Sequence, residues 1–190
     1  MRRSSEAESD RRFQRLYVEH GPDVRNYCRR RLMAGDVDDA VADVFVVVWR
    51  KIDSLPVSVE IRPWIFGVAR NVIKNLERGT RRRKRLWGKA VATADRSAHE
   101  AGPEAMVGGR GDEETVLAAL GTLKPTDQEV LRLSKWEELT PAEIAIALRI
   151  SPAAAGMRVK RASARMEDAL DRVGYRRQGG RPESSKKDIG

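Results

Sequence analysis

One cysteine, two histidines and ten aromatic residues in 190 positions leave little room for several kinds of chemistry. A lone Cys28 excludes an intramolecular disulfide framework, and with only His20 and His99 beside it no Cys/His metal set can be assembled. No apolar run approaches the roughly 18 residues of a membrane span, and the opening MRRSSEAESD lacks a signal-type apolar stretch. These absences lead us to expect a soluble cytoplasmic protein without membrane insertion, metal or cofactor. Ser4 and Ser5 near Arg11 and Arg12 raise the thought of a serine recombinase, but no strand-alternating catalytic domain follows, and no nucleophile is paired with a base. The expectation is that the chain has no catalytic site.

Charge is what the sequence has in excess, and its position matters more than its total. The chain carries 37 Lys plus Arg against 28 Asp plus Glu, a formal net charge of +9. Ten of those bases and a single acid, Glu77, fall between positions 62 and 89, leaving 27 of each sign elsewhere. An excess confined to one short stretch is the electrostatic mark of a polyanion site, and nucleic acid is the first candidate.

With 41% hydrophobic but only 5% aromatic residues, the cores should be built from helices rich in Ala, Val and Leu. Residues 1–10 are polar and read as a disordered N-terminus. Positions 11 to 31 carry Phe13, Leu16, Tyr17, Val24, Tyr27 and Cys28 at helical spacing around a Gly21-Pro22 break, which predicts two helical pieces. Val41, Val44, Phe45, Val48, Trp49 and Ile52 form one apolar stripe on a helix with acids in its first turn. After a loop over 54–61, Pro63 opens a helix to about Arg78, with Trp64, Ile65, Val68, Val72, Ile73 and Leu76 on its buried side and Gly79 as C-cap. Residues 87–112 are glycine-rich and without period, which is the composition of a flexible linker.

The C-terminal part reads as short capped helices. One runs from about 112 to 120, and a second starts at Thr126, where Thr126-x-x-Glu129 has the form of a capping box. A third is headed by Thr140, Pro141 and Glu143, supplying N-cap, N1 proline and box partner. That helix, PAEIAIAL, is followed by a two-residue break, Arg149-Ile150, and then Ser151-Pro152 heads a last helix to about Val173, with residues 175–190 a polar, basic tail. Two helices joined by so tight a turn outline a helix-turn-helix. The second carries Arg158, Lys160, Arg161 and Arg165, of which Arg158, Arg161 and Arg165 share one face suited to phosphates or base edges in a major groove.

Taken in order, FQRLYVEHGPDVRNYCRRRL, DDAVADVFVVVWRKIDSLP and RPWIFGVARNVIKNLERGTRRR, then LGTLKPTDQEVLRLSKWEELTPAEIAIALRIS and RVKRASARM, the chain resembles the small two-domain bacterial RNA polymerase sigma factors of the extracytoplasmic-function type. The resemblance implies an all-α protein of two small helical domains joined by a flexible linker: a sigma region 2-like bundle over 11–86 and a sigma region 4-like helix-turn-helix over 113–174. It implies contact with core RNA polymerase, through its β and β′ subunits, by Asp39, Asp43, Val46 and Arg50. It further implies recognition of the promoter −10 element by Arg62, Trp64, Asn71, Lys74, Asn75, Arg78, Arg81, Arg82 and Arg83. A flipped base would lodge against the loop at 54–61. Ser151, Arg158, Lys160, Arg161 and Arg165 would read the −35 duplex. An anti-sigma protein is a further partner that the resemblance suggests.

Residue chemistry fits these roles and also supplies plainer ones. Amides and cations on one helix suit unstacked bases and phosphates, and an arginine run suits the adjacent backbone. Against that, Trp49 and Trp64 have the character of packing residues, Asp39 and Asp43 of first-turn acids, and Cys28 of a small buried hydrophobe. The chain departs from the family pattern at Ala42 and Val47, where Gln and a polar residue are common, at Arg149, where Gly is usual, and at Ala155-Gly156-Met157 in the recognition helix. The competing reading is a free-standing helix-turn-helix regulator that does not bind core polymerase.

Overall fold

A computed structural model describes residues 2–55, 60–90 and 112–175, with side chains described over 7–55, 60–82 and 112–175. Among the described residues there are seven α-helices and no strand: α1 (Arg2–Arg29), α2 (Val37–Arg50), α3 (Ile61–Ala90), α4 (Asp112–Gly121), α5 (Pro125–Lys135), α6 (Pro141–Leu148) and α7 (Pro152–Arg172). The all-α expectation holds.

Helices α1, α2 and α3 pack as an N-terminal bundle. Val24, Tyr27 and Cys28 of α1 meet Ala40, Val44, Phe45 and Val48 of α2 and Ile65, Phe66, Ala69 and Ile73 of α3. The apolar stripes read from the sequence supply most of these buried faces, with Tyr17 and Trp49 as exceptions at 47% and 42% exposed. Each fully buried Val, Ile or Phe side chain contributes about 1.5–3 kcal/mol, which is ample to fix helices whose β-branched runs would favour strand in isolation.

Three boundary expectations fail, for identifiable reasons. Helix α1 is continuous through Gly21-Pro22 instead of two pieces. Pro22 and Val18, whose carbonyl loses its i+4 partner, both face solvent, where water replaces the lost bond, while Leu16, His20, Val24, Tyr27 and Cys28 hold one buried stripe across the break. Residues 2–10, expected as a disordered tail, continue the same helix. Ser9 there donates to Asp53 at 2.5 Å, and Arg12 donates to the Ile52 carbonyl at 3.0 Å. Helix α3 runs on through Gly79 to Ala90 instead of capping there. Arg78 bonded to the Lys74 carbonyl and Arg81 paired with Glu77 at i,i+4 carry the turn across the glycine. The remaining linker positions 91–111, the loop positions 56–59 and the tail 176–190 lie outside the described residues.

In the C-terminal half, Leu120, Leu131 and Ala162 form a small core with Leu123, Trp136 and Met166. The cap of α6 is as read from the sequence: Thr140 Oγ1 accepts from the Glu143 N–H at 3.3 Å, and Glu143 Oε2 accepts from the Thr140 N–H at 2.7 Å. That backbone bond, with the Thr140 hydroxyl, holds the Glu143 carboxyl below its usual pKa. Ser151 Oγ caps α7 by accepting from the Ala154 N–H at 3.2 Å. The box expected at Thr126 is absent, because α5 begins at Pro125 with Lys124 as N-cap.

Glu129 is instead spent on the contact between the two halves. Tyr27 donates its hydroxyl to Glu129 at 2.6 Å, and Arg31 Nε donates to the same carboxylate at 3.1 Å. Arg31 also donates to the Tyr27 carbonyl at 3.0 Å and to Glu137 at 3.2 Å, while Arg30 donates to Glu137 at 3.1 Å. The Arg31 guanidinium lies 3.5 Å from the Tyr27 ring centroid. Arg31 and Glu137 side chains are only 5% and 4% exposed, so this is a buried charge network and not a surface ion pair. Burial pushes the Glu137 carboxyl above its usual pKa despite Arg31 and Arg30, and it raises the Tyr27 hydroxyl as well. Nearby, α6 crosses α3 so closely that a Cβ on Gly67 would stand 2.9 Å from the Ala147 carbonyl oxygen. Leu133, Ile144, Ala147 and Ala155 thereby join the same buried cluster as the N-terminal bundle.

Candidate nucleic-acid and polymerase surfaces

The face of α2 opposite its buried stripe carries Asp39, Asp43, Val46 and Arg50, all exposed and spaced four, three and four residues apart. That spacing puts them on one side of the helix. Val46 is 45% exposed, an apolar position in an otherwise charged row. Beside it Trp49 stacks edge-on against Phe13 at 5.3 Å between ring centroids, and Tyr17 meets Phe45 at 4.7 Å. Trp49 is thus a packing residue with one exposed side. Of the two departures in this helix, Ala42 faces solvent while Val47 is half-buried against the core. The substitution at Val47 therefore alters packing more than the exposed row.

Helix α3 presents Asn71, Lys74, Asn75 and Arg78 to solvent. Arg78 is steadied by bonds to the Lys74 carbonyl at 3.2 Å and the Asn75 side chain at 2.8 Å. Partial burial and the neighbouring Arg70 charge lower the Lys74 pKa. Trp64 is half-buried against the core cluster, and Arg62 is committed to Asp23 at 3.0 Å while lying over the Phe66 ring. Arg81 pairs with Glu77, and Arg82 is exposed. The Arg83 side chain lies outside the described side chains. The structure therefore brings the amides and cations of the middle of α3 together and sets Arg62 and Trp64 apart as partly used in packing.

On α7, Arg158, Lys160 and Arg161 are exposed, with Arg161 Nε donating to the Met157 carbonyl. Arg165 differs: its Nη1 donates to Asp127 Oδ2 at 2.5 Å. Ser151 is engaged as the helix cap. Gly156 has open space where a Cβ would be, Ala155 is buried and Met157 exposed. Arg149, in the turn between α6 and α7, takes the left-handed conformation with φ 54° and ψ 52°.

Of the interdomain residues, Arg30, Arg31 and Glu137 were not singled out by the sequence, while Tyr27 was read only as an apolar stripe position and Glu129 only as a capping-box partner. Their types are those of ordinary surface positions, and only pairing across about a hundred residues gives them meaning.

The described surface thus presents charged and amide-bearing faces on α3 and α7 and an exposed row on α2. Residues 16–84 match the family Sigma-70 region 2, and residues 113–166 match Sigma-70, region 4. The chain is 31% identical to the RNA polymerase sigma factor CnrH of Cupriavidus metallidurans over 169 residues, covering 86% of this chain and 88% of that protein. It is 29% identical to the sigma factor NccH of Alcaligenes xylosoxydans xylosoxydans over 160 residues, covering 83% and 86%. Among solved structures, CnrH in complex with the cytosolic domain of CnrY superposes with a TM-score of 0.60 at 27% identity, covering 87% of this chain and 94% of that one. The sigma factor RpoE of Bartonella quintana, in complex with the anti-sigma factor NepR, has the same fold, with a TM-score of 0.59 at 19% identity and coverage of 84% and 96%. With one region 2 and one region 4 in a single helical chain, this protein belongs to the sigma-70 family of RNA polymerase sigma factors, of the extracytoplasmic-function type.

Proposed function

We propose that the chain is an alternative sigma factor that binds core RNA polymerase through the exposed row Asp39, Asp43, Val46 and Arg50, melts the −10 element with α3, and reads the −35 duplex with α7. The observation that carries this is the exposed set Asn71, Lys74, Asn75 and Arg78 running directly into the basic run Arg81, Arg82, Arg83, Lys84 and Arg85 on one continuous helix. Amides and stacked cations hold unpaired bases, and the following arginines hold the backbone of the same strand. Arg158, Lys160 and Arg161 supply the duplex contacts on a helix whose N-terminus is fixed by Ser151. Melting free energy then comes from binding unstacked bases and needs no nucleotide hydrolysis by this chain. The sigma factors solved with CnrY and with NepR support an inhibitory protein partner for this chain too, in the cytoplasm where polymerase works.

The test is run-off transcription. The purified protein, mixed with sigma-free core polymerase and a cognate promoter, is expected to yield a defined transcript. Specific operator binding by the protein alone, with no core polymerase retained in a pull-down, would overturn the proposal in favour of a free-standing helix-turn-helix regulator.

A further inference from the structure

The middle of the outward face of α7 is apolar at the end that leads into a groove. Ala155, Ala162 and Ala169 are the buried side of this helix. At 3.6 residues per turn the opposite side runs through Ala153, Met157, Lys160 and Ala164, which are spaced four, three and four residues apart and are all exposed. Arg158 and Arg161 lie to one flank of that row. Glu167 and Asp168 follow it, both exposed, and their charges repel phosphates, so the DNA-facing length ends near Ala164.

In a helix-turn-helix the N-terminal residues of the second helix meet the base edges. Here those positions are Pro152, Ala153, Ala154, Ala155, Gly156 and Met157, and none has a side-chain N–H, O–H or carbonyl. The Ser151 hydroxyl before them accepts from the Ala154 N–H at 3.2 Å as the helix cap. Within α7, hydrogen-bonded readout by side chains therefore starts at Arg158, and the turns before it offer apolar contact. Met157 has the reach for it: it is 53% exposed and belongs to neither buried cluster of the described residues. Gly156 beside it adds no side chain, and a Cβ there would meet nothing within 4 Å. One turn on, Arg161 Nε donates to the Met157 carbonyl at 3.2 Å, which holds that cation against the same stretch of helix.

Base edges in the major groove present donors and acceptors with one apolar group among them, the C5-methyl of thymine. An unbranched, polarizable thioether adapts its shape to so small a partner. We infer that Met157, with Ala153 one turn before it, reads thymine methyl groups in the −35 duplex, so that base preference at that end of the element is set by methyl contact in place of side-chain hydrogen bonds. The inference rests on the function proposed above and deepens it: the cations of α7 hold the duplex, and Met157 selects the base.

Deoxyuridine differs from thymidine by that methyl group alone, so the DNA can be altered while the protein stays intact. The full chain, assembled with core polymerase, is used to select duplexes from a randomised pool, and each thymine of the selected −35 segment is then replaced by uracil in turn. Replacement at one position or more should weaken retention about three- to fivefold, which is the effect of returning one buried methyl group to water. Met157→Ala should bind the thymine and uracil duplexes alike, at about the affinity that the wild-type chain has for the uracil form. Its melting temperature should be that of the wild type, because the side chain is exposed and packs in neither core. Selected segments without thymine, a wild-type chain indifferent to uracil, or a uracil penalty of the same size in Met157→Ala would each overturn the inference and leave the functional reading standing. A chain that does not assemble with core polymerase, or that selects no −35 segment with it, overturns the functional reading and the inference with it.

Discussion

Arg165 of the recognition helix donates to the Asp127 carboxylate of α5 at 2.5 Å, and Asp127 is only 8% exposed. This bond ties α7 to α5 alongside the Leu131, Ala162 and Met166 contacts. Arg165 lies on the same face as Arg158 and Arg161, but its guanidinium is committed to holding the helix in place.

The three arginines should therefore separate in a mutational series. Arg165→Ala leaves a mostly buried carboxylate without its cation. Because half of the Arg165 side chain is exposed, screening limits the cost to about 1–2 kcal/mol. Arg158→Ala and Arg161→Ala should stay within about 0.5 kcal/mol of wild type in thermal melts, yet weaken −35 duplex binding and reduce its salt slope by about one per lost phosphate contact. Melts beside binding isotherms at several salt concentrations make the comparison. The assignment fails if Arg165→Ala leaves stability intact and only DNA binding falls.

How far this architecture was legible follows from which interactions are local. The α2 stripe, the Thr140 box and the Ser151 cap are written within four residues of one another, and the structure has them where their spacing puts them. The continuity of α1 through Pro22 and of α3 through Gly79 was not legible, because each breaker is outvoted by contacts the local sequence does not show. Glu129 is the sharpest case. It completes a capping-box pattern with Thr126, but Tyr27 and Arg31, about a hundred positions away, claim its carboxylate. The sites divide in the same way: exposed rows on α2, α3 and α7 follow from helical period, whereas the ion pairs of Arg62 with Asp23 and of Arg165 with Asp127 join distant positions and could not be read from it.

On α3, Asn71 and Arg78 are exposed, and among the described residues Arg78 bonds to its own helix, at the Lys74 carbonyl and the Asn75 side chain. Replacing both by Ala should cost little stability but lower open-complex formation, by about 1–3 kcal/mol for each contact to a base or phosphate that is lost. Permanganate reactivity of promoter thymines measures the melting, and a pull-down measures retention on core polymerase. Retention is expected to be unchanged. Equal loss of both would assign the pair to folding.

In the turn of the helix-turn-helix, Arg149 holds φ at 54°, a conformation that favours glycine. The family's usual glycine at this position has a physical reason here, and Arg149→Gly should stabilise the chain by about 1 kcal/mol. Gly156→Ala should do the same from the opposite direction, since Gly156 is inside α7 and a Cβ there meets nothing. Urea denaturation is the appropriate measurement: each midpoint should rise with the slope unchanged. A lower midpoint for Arg149→Gly would show that the arginine side chain contributes more than the strain costs.

His20 gives the fold a pH dependence of definite sign. It is 7% exposed on the buried side of α1, with Glu19 and Asp23 on its own helix and Arg62 facing it from α3. Burial lowers its pKa below 6.5 even though Glu19 and Asp23 pull the other way. The unfolded chain then takes up a proton at a pH where the folded chain does not. The stability associated with neutral His20 is complete above pH 6.5 and is lost as pH falls through the folded value. Glu137 acts in the opposite sense: its raised pKa adds stability as pH falls toward 4.5. The wild-type curve is therefore a sum, and the difference between wild type and His20→Gln isolates the histidine. That difference in melting temperature should be flat above pH 7 and should shift in favour of the variant on acidification below pH 6.5. A difference that does not change with pH would show that His20 titrates alike in both states.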